Sequence, residues 1–554
     1  MGLITILMVF WLSIIIVYVM LNRGIWVFTD VTKGTSLFML EKALGPAIDF
    51  AEGRKGSGAV AWIIQGAVWL VISSTLTFVG LWLGHEPTAL HSLSAWGLNP
   101  TSESLILAGK LSTIFGAVGM FLIGSALHIV PKLSNTDLAS EKNATLVSFV
   151  WALSIFIMVI GAYMPEIFGV KILLISTLIN SLALIAIIVN LLLTASSRER
   201  KMALPGWLII IGLISVPVST LAVAITGNLT NGTGQWALVR LIGASFFLQV
   251  SGVGLYAASY GSGNPLWSKS LTVITLAGSI FTLNPIGFLS GELSALFIGL
   301  DPALMEPSRN DIIGGSFIMA LFAVPLISLA SNLLITIRGD DSFIENSDNP
   351  GMAEINFGAI MLIPVGISFL FVQTDYLSGN DELIGLSSSL HLLAIWTVLV
   401  PISMGATLCI FPAVSGRNVL SANRSRRAFW LISGGAFTGI IFTIMGDFSN
   451  ISLLELDPEA VITETPNGLK SLGSVLFYLV VLGSIFQCLN MIRGYYRGSQ
   501  IIDENSKSST SISLKSYNLT KTATVRKLFS KGATMDTEIV PVNESEKQGK
   551  PTEL

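Results

Sequence analysis

Residues 105–133 read LILAGKLSTIFGAVGMFLIGSALHIVPKL. At about 1.5 Å per residue, roughly 20 apolar residues cover the hydrocarbon core of a bilayer. No water is available there, so the backbone must satisfy its own hydrogen bonds, and the stretch predicts a membrane-spanning helix. Pro131 and Lys132 close it, and a single charge, Lys110, lies inside it. The chain repeats this kind of segment. One isolated span falls at about residues 3–21, and twelve more begin near residues 57, 105, 143, 168, 205, 235, 270, 312, 354, 385, 428 and 470. Over all 554 residues, 52% are hydrophobic and 12% charged, with a mean hydropathy of +0.73, values outside the range of soluble domains. The expected fold class is all-α: a polytopic transmembrane helical bundle of twelve spans with one extra N-terminal span.

Lys and Arg accumulate in loops retained on the cytoplasmic side. Segments 22–56, 132–142, 196–204, 261–269, 338–353 and 415–428, with the tail from 493, hold 26 of the 31 basic residues. The opposite loops hold Lys171, Arg309 and Lys470. This alternation places the N-terminus outside and the C-terminus in the cytoplasm of a cell whose plasma membrane holds the protein. Met1-Gly2 gives no positive n-region and Arg23 follows the first span, so that span reads as a retained anchor. The organisation expected is an anchor at 1–25, a cytoplasmic linker at 26–56, a twelve-span domain at 57–494 and a disordered cytoplasmic tail at 495–554. The lipid bilayer is the expected partner; nucleic acid is not. Both cysteines, Cys409 and Cys488, fall in spans, which leaves no CxxC metal motif, and no phosphate-loop, nucleophile-elbow or HExxH signature is present.

Short motifs close or join several spans. Gly124-Ser-Ala-Leu-His-Ile-Val-Pro-Lys-Leu133 ends the second, Asn264-Pro-Leu-Trp-Ser268 joins the sixth and seventh, and Trp236 opens the sixth. Phe411-Pro-Ala-Val-Ser-Gly416 ends the tenth, and Arg424-Ser-Arg-Arg-Ala-Phe-Trp430 leads into the eleventh. In order and spacing, over roughly residues 57–495, they resemble subunit I of the heme-copper oxidase superfamily, nearest its nitric-oxide-reductase and cbb-type branches. The resemblance implies a twelve-span fold, an oxidoreductase of a respiratory chain, heme and copper as cofactors, and other oxidase-type subunits as partners. It also implies six histidine ligands, and this chain has four histidines in all. Carried across without gaps, the second-span heme ligand falls on Gly109 and the sixth-span copper ligand on Val239. The seventh-span pair falls on Leu289 and Ser290, and the tenth-span His-x-His on Leu390 and Leu392 with His391 between them. A one-residue shift restores His391 alone as a heme ligand. No cofactor is therefore expected with assurance, and the leading expectation is a divergent oxidase-like subunit without its metal centres and without catalysis.

Lys110, Arg240, Glu292 and His391 lie about five to seven residues inside the outer ends of four spans, a common depth of roughly 8–10 Å. Charges in a bilayer pair or line aqueous cavities. The expectation is an intramembrane polar cluster in which Arg240 pairs with Glu292, with Lys110 and His391 around them. Such a cluster either pins helices together, the leading reading, or binds an ion, a proton or a small polar ligand from outside. Two rival functions remain open: an active terminal oxidase or nitric-oxide reductase with atypical ligation, and an ion or small-solute transporter. A transporter with broken helices is expected to show a two-fold internal repeat, and none is evident.

Overall fold

Several of the long apolar stretches begin where a side chain caps their first backbone amides. Thr101 accepts from the Ser104 amide at 3.2 Å while Ser104 bonds back, Ser140 accepts from Asn143 at 3.2 Å, and Ser421 accepts from Arg424 at 3.4 Å. The computed structural model describes residues 53–92, 99–164, 166–167, 169–198, 202–225, 243–282, 320–338, 350–378, 386–456 and 464–500. The anchor, nearly all of the linker and the tail beyond residue 500 lie outside these residues.

Among the described residues the helices are α1 (Ser57–His85), α2 (Ser102–Ser134), α3 (Glu141–Tyr163), α4 (Ile172–Ser196), α5 (Leu204–Ile225) and α6 (Gly243–Ser262). They continue with α7 (Lys269–Thr282), α8 (Ala323–Arg338), α9 (Met352–Ser378), α10 (Ser388–Ser415), α11 (Ala422–Ser452) and α12 (Glu464–Arg497). Seven of these helices are long and apolar enough to cross a membrane. Large side chains such as Leu146, Leu182 and Phe371 face outward, as a lipid solvent requires. The protein is an integral membrane protein with a helical bundle fold. A hairpin of two-residue strands, Glu166–Ile167 and Val170–Lys171, joins α3 to α4 through Gly169, whose φ is 78°.

Helix α11 begins at Ala422, earlier than hydropathy alone places it. The Arg-rich turn 422–429 is helical because Ser421 caps it, and an apolar window cannot register a polar first turn. Burial sorts the helices. The apolar windows of α2 and α10 are 89% buried, against 50% in α3, α11 and α12, so α2 and α10 form the centre of the bundle. Both carry a π-helical segment, Ser112–Val118 in α2 and Ile395–Leu399 in α10, and the two segments touch. A π segment loosens the regular ladder. The Phe115 carbonyl in the α2 segment accepts the Trp151 indole N–H from α3 at 2.8 Å.

At the Pro131 end of the bundle one device occurs three times. The Ser140 amide donates to Asn190 Oδ1 at 3.0 Å, and Asn190 Nδ2 donates to the Ser140 carbonyl at 2.8 Å. Asn332 holds Ser268 in the same way at 3.1 and 3.0 Å, and Asn490 holds Ser421 at 3.0 and 3.1 Å. Each serine precedes the first helix of a pair and each asparagine sits on the second: α3 with α4, α7 with α8, α11 with α12. Among the described helices these are the third, seventh and eleventh with their successors.

Helix α1 has no side-chain cap of its own; its N-cap is Gly56, at φ 85°. Glu141 of α3 supplies the acceptors from outside. Its Oε1 takes the Gly56 amide at 2.8 Å and its Oε2 the Gly58 amide at 2.9 Å. A carboxylate at a helix N-terminus gains from both the hydrogen bonds and the helix dipole. Glu141→Ala is expected to cost about 1–2 kcal/mol, lowering the thermal midpoint in detergent, with Glu141→Gln falling between. An unchanged midpoint in Glu141→Ala would show that water replaces the carboxylate without loss.

Candidate functional site

The end of the bundle opposite Pro131 gathers polar side chains from five helices. Lys110 lies in the third turn of α2, and its Nζ donates to Ser388 Oγ on α10 at 2.8 Å. The next residue, Ser389, turns the other way and donates to Asp447 Oδ2 on α11. Asp447 Oδ1 in turn pairs with Lys470 Nζ on α12 at 2.8 Å, both side chains being about a quarter exposed. One turn along α12, Ser474 meets His85 Nε2 at the end of α1, also at 2.8 Å. His391 lies on α10 one turn beyond Ser388, within electrostatic reach of Lys110.

Two of the four residues expected to share a layer, Lys110 and His391, are thus brought together. Arg240 and Glu292 lie outside the described residues, as do Val239, Leu289 and Ser290. Lys470 reads as an outer-loop residue in the sequence; the structure places it and Asp447 on helices, where the two form an ion pair. Leu390 and Leu392 are buried, 6% and 2% exposed, on either side of the half-buried His391. His128 is on α2 eighteen residues beyond Lys110, roughly 27 Å along the helix at 1.5 Å per residue. His128 and His391 therefore belong to opposite ends of the bundle.

The position aligned with the second-span heme ligand is closed. Gly109 is buried where α2 crosses α1, and a Cβ there would meet Thr77 Oγ1 well inside contact distance, the Thr77 amide nitrogen at 3.0 Å and its Cα at 3.1 Å. Further along, α2 and α10 are joined directly: Thr407 Oγ1 lies 3.3 Å from Ser125 Oγ and 3.4 Å from the Phe121 carbonyl. Between these points the touching π segments bring the fully buried Trp396 edge-on to Phe477 at 5.3 Å, and its indole N–H has no hydrogen-bond partner among the described residues. Among the described residues, no three His, Cys, Asp or Glu side chains are close enough to hold a metal ion.

No family model matches the chain, and no curated protein matches it. A search of solved structures does find a match: a heme-copper terminal oxidase, determined as a dimer by cryo-electron microscopy, at a TM-score of 0.57. The fold is oxidase-like. The likeness covers 83% of this chain and 91% of the oxidase chain at 12% sequence identity, so it shows a shared fold and no shared chemistry. On that oxidase-like frame the polar network sits at one end of the central helices α2 and α10.

Sequence reasoning also missed Glu354. It lies in the first turn of α9, 2% exposed, with its Cβ packed over Gly405 of α10. The available signal was a carboxylate just after the Pro350-Gly351 turn, a position that favours acidic residues at a helix start.

Proposed function

We propose that this chain is a divergent oxidase-like membrane subunit that carries no heme or copper centre of the family type and does not reduce oxygen or nitric oxide. The observation that carries this reading is Gly109: where the resemblance calls for a histidine, α1 and α2 approach so closely that even a Cβ would have to displace Thr77. The direct contacts between Ser125, Phe121 and Thr407 support it, because they join α2 to α10, the two helices that the resemblance implies flank a low-spin heme. The chemistry of the tenth span agrees. Neutral imidazole is the usual intramembrane heme and copper ligand. Here His391 stands between two leucines and beside an ammonium group, and His128 is too far along α2 to share a metal with it. The residues present do not fit a six-histidine metal set, and no redox step is assigned to them. The loop charges orient the Lys110 end toward the outside of the plasma membrane, and the oxidase-type fold makes other subunits its natural partners.

The test is the absorption spectrum of the full chain purified in mild detergent, dithionite-reduced minus oxidised, with elemental analysis of the same sample. The expected result is no Soret or alpha band and iron and copper well below one atom per chain. A Soret band with near-stoichiometric metal would overturn the proposal.

A further inference from the structure

Helices α1 and α12 pack side by side, and their seam is uneven. Toward the end opposite Pro131 it is closed by Phe78 against Tyr478, with ring centroids 5.2 Å apart. Nearer the Pro131 end the two helices part around a groove of about 240 Å³. Val68, Val71 and Ile72 of α1 and Ile485, Cys488 and Leu489 of α12 line it, so every lining side chain is apolar or a thiol. Val68, Ile72 and Leu489 are 40%, 38% and 39% exposed, which turns the groove outward to the lipid. At 1.5 Å per residue Leu489 lies roughly 12 Å from the Arg497 end of α12, a depth at which lipid tails begin. Tails fill such a groove without preference, because they are as apolar as its lining. Selectivity must come from a headgroup, and the same face of α12 supplies the means. Arg493 and Tyr496 follow Leu489 at helical spacing on that face, and both are exposed. Helical side chains lean toward the N-terminus of their own helix, which sets Arg493 over the Leu489 turn at the mouth of the groove. Tyrosine is enriched at the membrane boundary, the level at which headgroups lie.

We propose that the groove between α1 and α12, together with Arg493, holds one anionic phospholipid from the leaflet at the Pro131 end. An acyl chain lies along Val68, Ile72 and Ile485, and the phosphate accepts charge-assisted hydrogen bonds from the guanidinium. A zwitterionic headgroup carries an ammonium that already answers its phosphate, so the anionic one gains more from Arg493. The first span expected at residues 3–21 is the other apolar segment long enough to lie in the groove. On the orientation given by the loop charges it ends at this side in Arg23, which would set like charge against Arg493. The assignment is separate from the metal reading, which the absorption spectrum decides by itself.

The full chain in nanodiscs of phosphatidylcholine with a minor fraction of phosphatidylglycerol provides the test, retained lipids being counted by native mass spectrometry. Wild type is expected to keep one phosphatidylglycerol in preference to phosphatidylcholine. Arg493→Gln should weaken that preference about fivefold or more, and Arg493→Lys should keep most of it. Arg427→Gln removes an exposed charge from α11 at the same end of the bundle and should leave the preference unchanged. Cys488→Phe fills the groove and should release the lipid although Arg493 is intact. Val68→Phe makes the same comparison from α1 should Cys488→Phe fail to fold. Equal retention of both lipids by wild type, an unchanged preference in Arg493→Gln or in the groove-filling variants, or an equal loss in Arg427→Gln would overturn the site. So would a disulfide between Cys488 and the thiol of Ile14→Cys in a Cys409→Ser background, because it would put the first span in the groove.

Discussion

Replacing Gly109 with histidine is expected to break the fold rather than to restore a heme ligand. A side chain at this position must begin with a Cβ, and the space that Cβ needs is held by the Thr77 amide nitrogen and Cα, at 3.0 and 3.1 Å, as well as by the Thr77 hydroxyl. Backbone atoms in a helix yield only if the helix moves. Thr77 is also tied to its own helix, its hydroxyl donating to the Ser73 carbonyl at 2.9 Å. Gly109→Ala alone is expected to cost about 1–3 kcal/mol, the usual range for overpacking. The larger imidazole would push α1 off α2 along the seam that buries Leu70, Phe115 and Phe121. The measurement is size-exclusion behaviour and the thermal midpoint of Gly109→Ala and Gly109→His, each also in a Thr77→Ala background. Alanine should lower the midpoint and regain part of it when the hydroxyl is removed; histidine should give little monodisperse protein in either background. A well-folded Gly109→His that takes up hemin would show that the helices part readily and would remove the main support for a heme-free reading.

The second large effect is expected at Gly351, which turns the chain into α9. Its φ of 93° is a conformation L side chains rarely adopt, and a Cβ there would be driven into the Gly405 carbonyl of α10. Strain of about 1–3 kcal/mol adds to an overpacking cost of similar size, so Gly351→Ala should lose several kcal/mol. The displacement has a local reporter. Cys409 is buried and its thiol donates to the Pro350 carbonyl at 3.1 Å, so any shift of the turn uncovers it. Maleimide labelling of Cys409 in a Cys488→Ser background should be slow in wild type and fast in Gly351→Ala. Labelling that stays slow with an unchanged midpoint would mean that the turn relaxes without cost.

The parts of this architecture that depend on apolar length were legible in the chain, because a bilayer imposes one requirement on every span. The helix starts at Ser57, Leu204 and Met352 fall close to where hydropathy places them. Features that depend on side-chain direction were not. Lys470 reads as an outer-loop charge because hydropathy assigns a polar residue near a span end to the loop, whereas its helix includes it and turns it toward Asp447. Lys110 and His391 are expected at one depth from the count of residues to the span ends, and the structure brings them within electrostatic reach of each other. What the count could not give was the partner: Ser388 and Ser389 are unremarkable in sequence, and only adjacent positions on one helix start send one to Lys110 and the other to Asp447. Gly109 was singled out by alignment with a lost ligand, yet its meaning as a contact with Thr77 needs the path of α1, which no local pattern supplies.

The three Ser–Asn clamps recur along the chain. They join single residues at unequal separations: 50 residues from Ser140 to Asn190, 64 from Ser268 to Asn332 and 69 from Ser421 to Asn490. These clamps bear on biogenesis. Each joins the start of one described helix to the following described helix, so each fastens a pair of helices using only groups on that pair. With both helices in place, one asparagine side chain takes the amide and the carbonyl of the serine together. Of the three clamped pairs, α3 with α4 and α7 with α8 precede the central helix α10 in the chain and can be fastened before it arrives, whereas the α11–α12 pair follows α10 and is fastened after it.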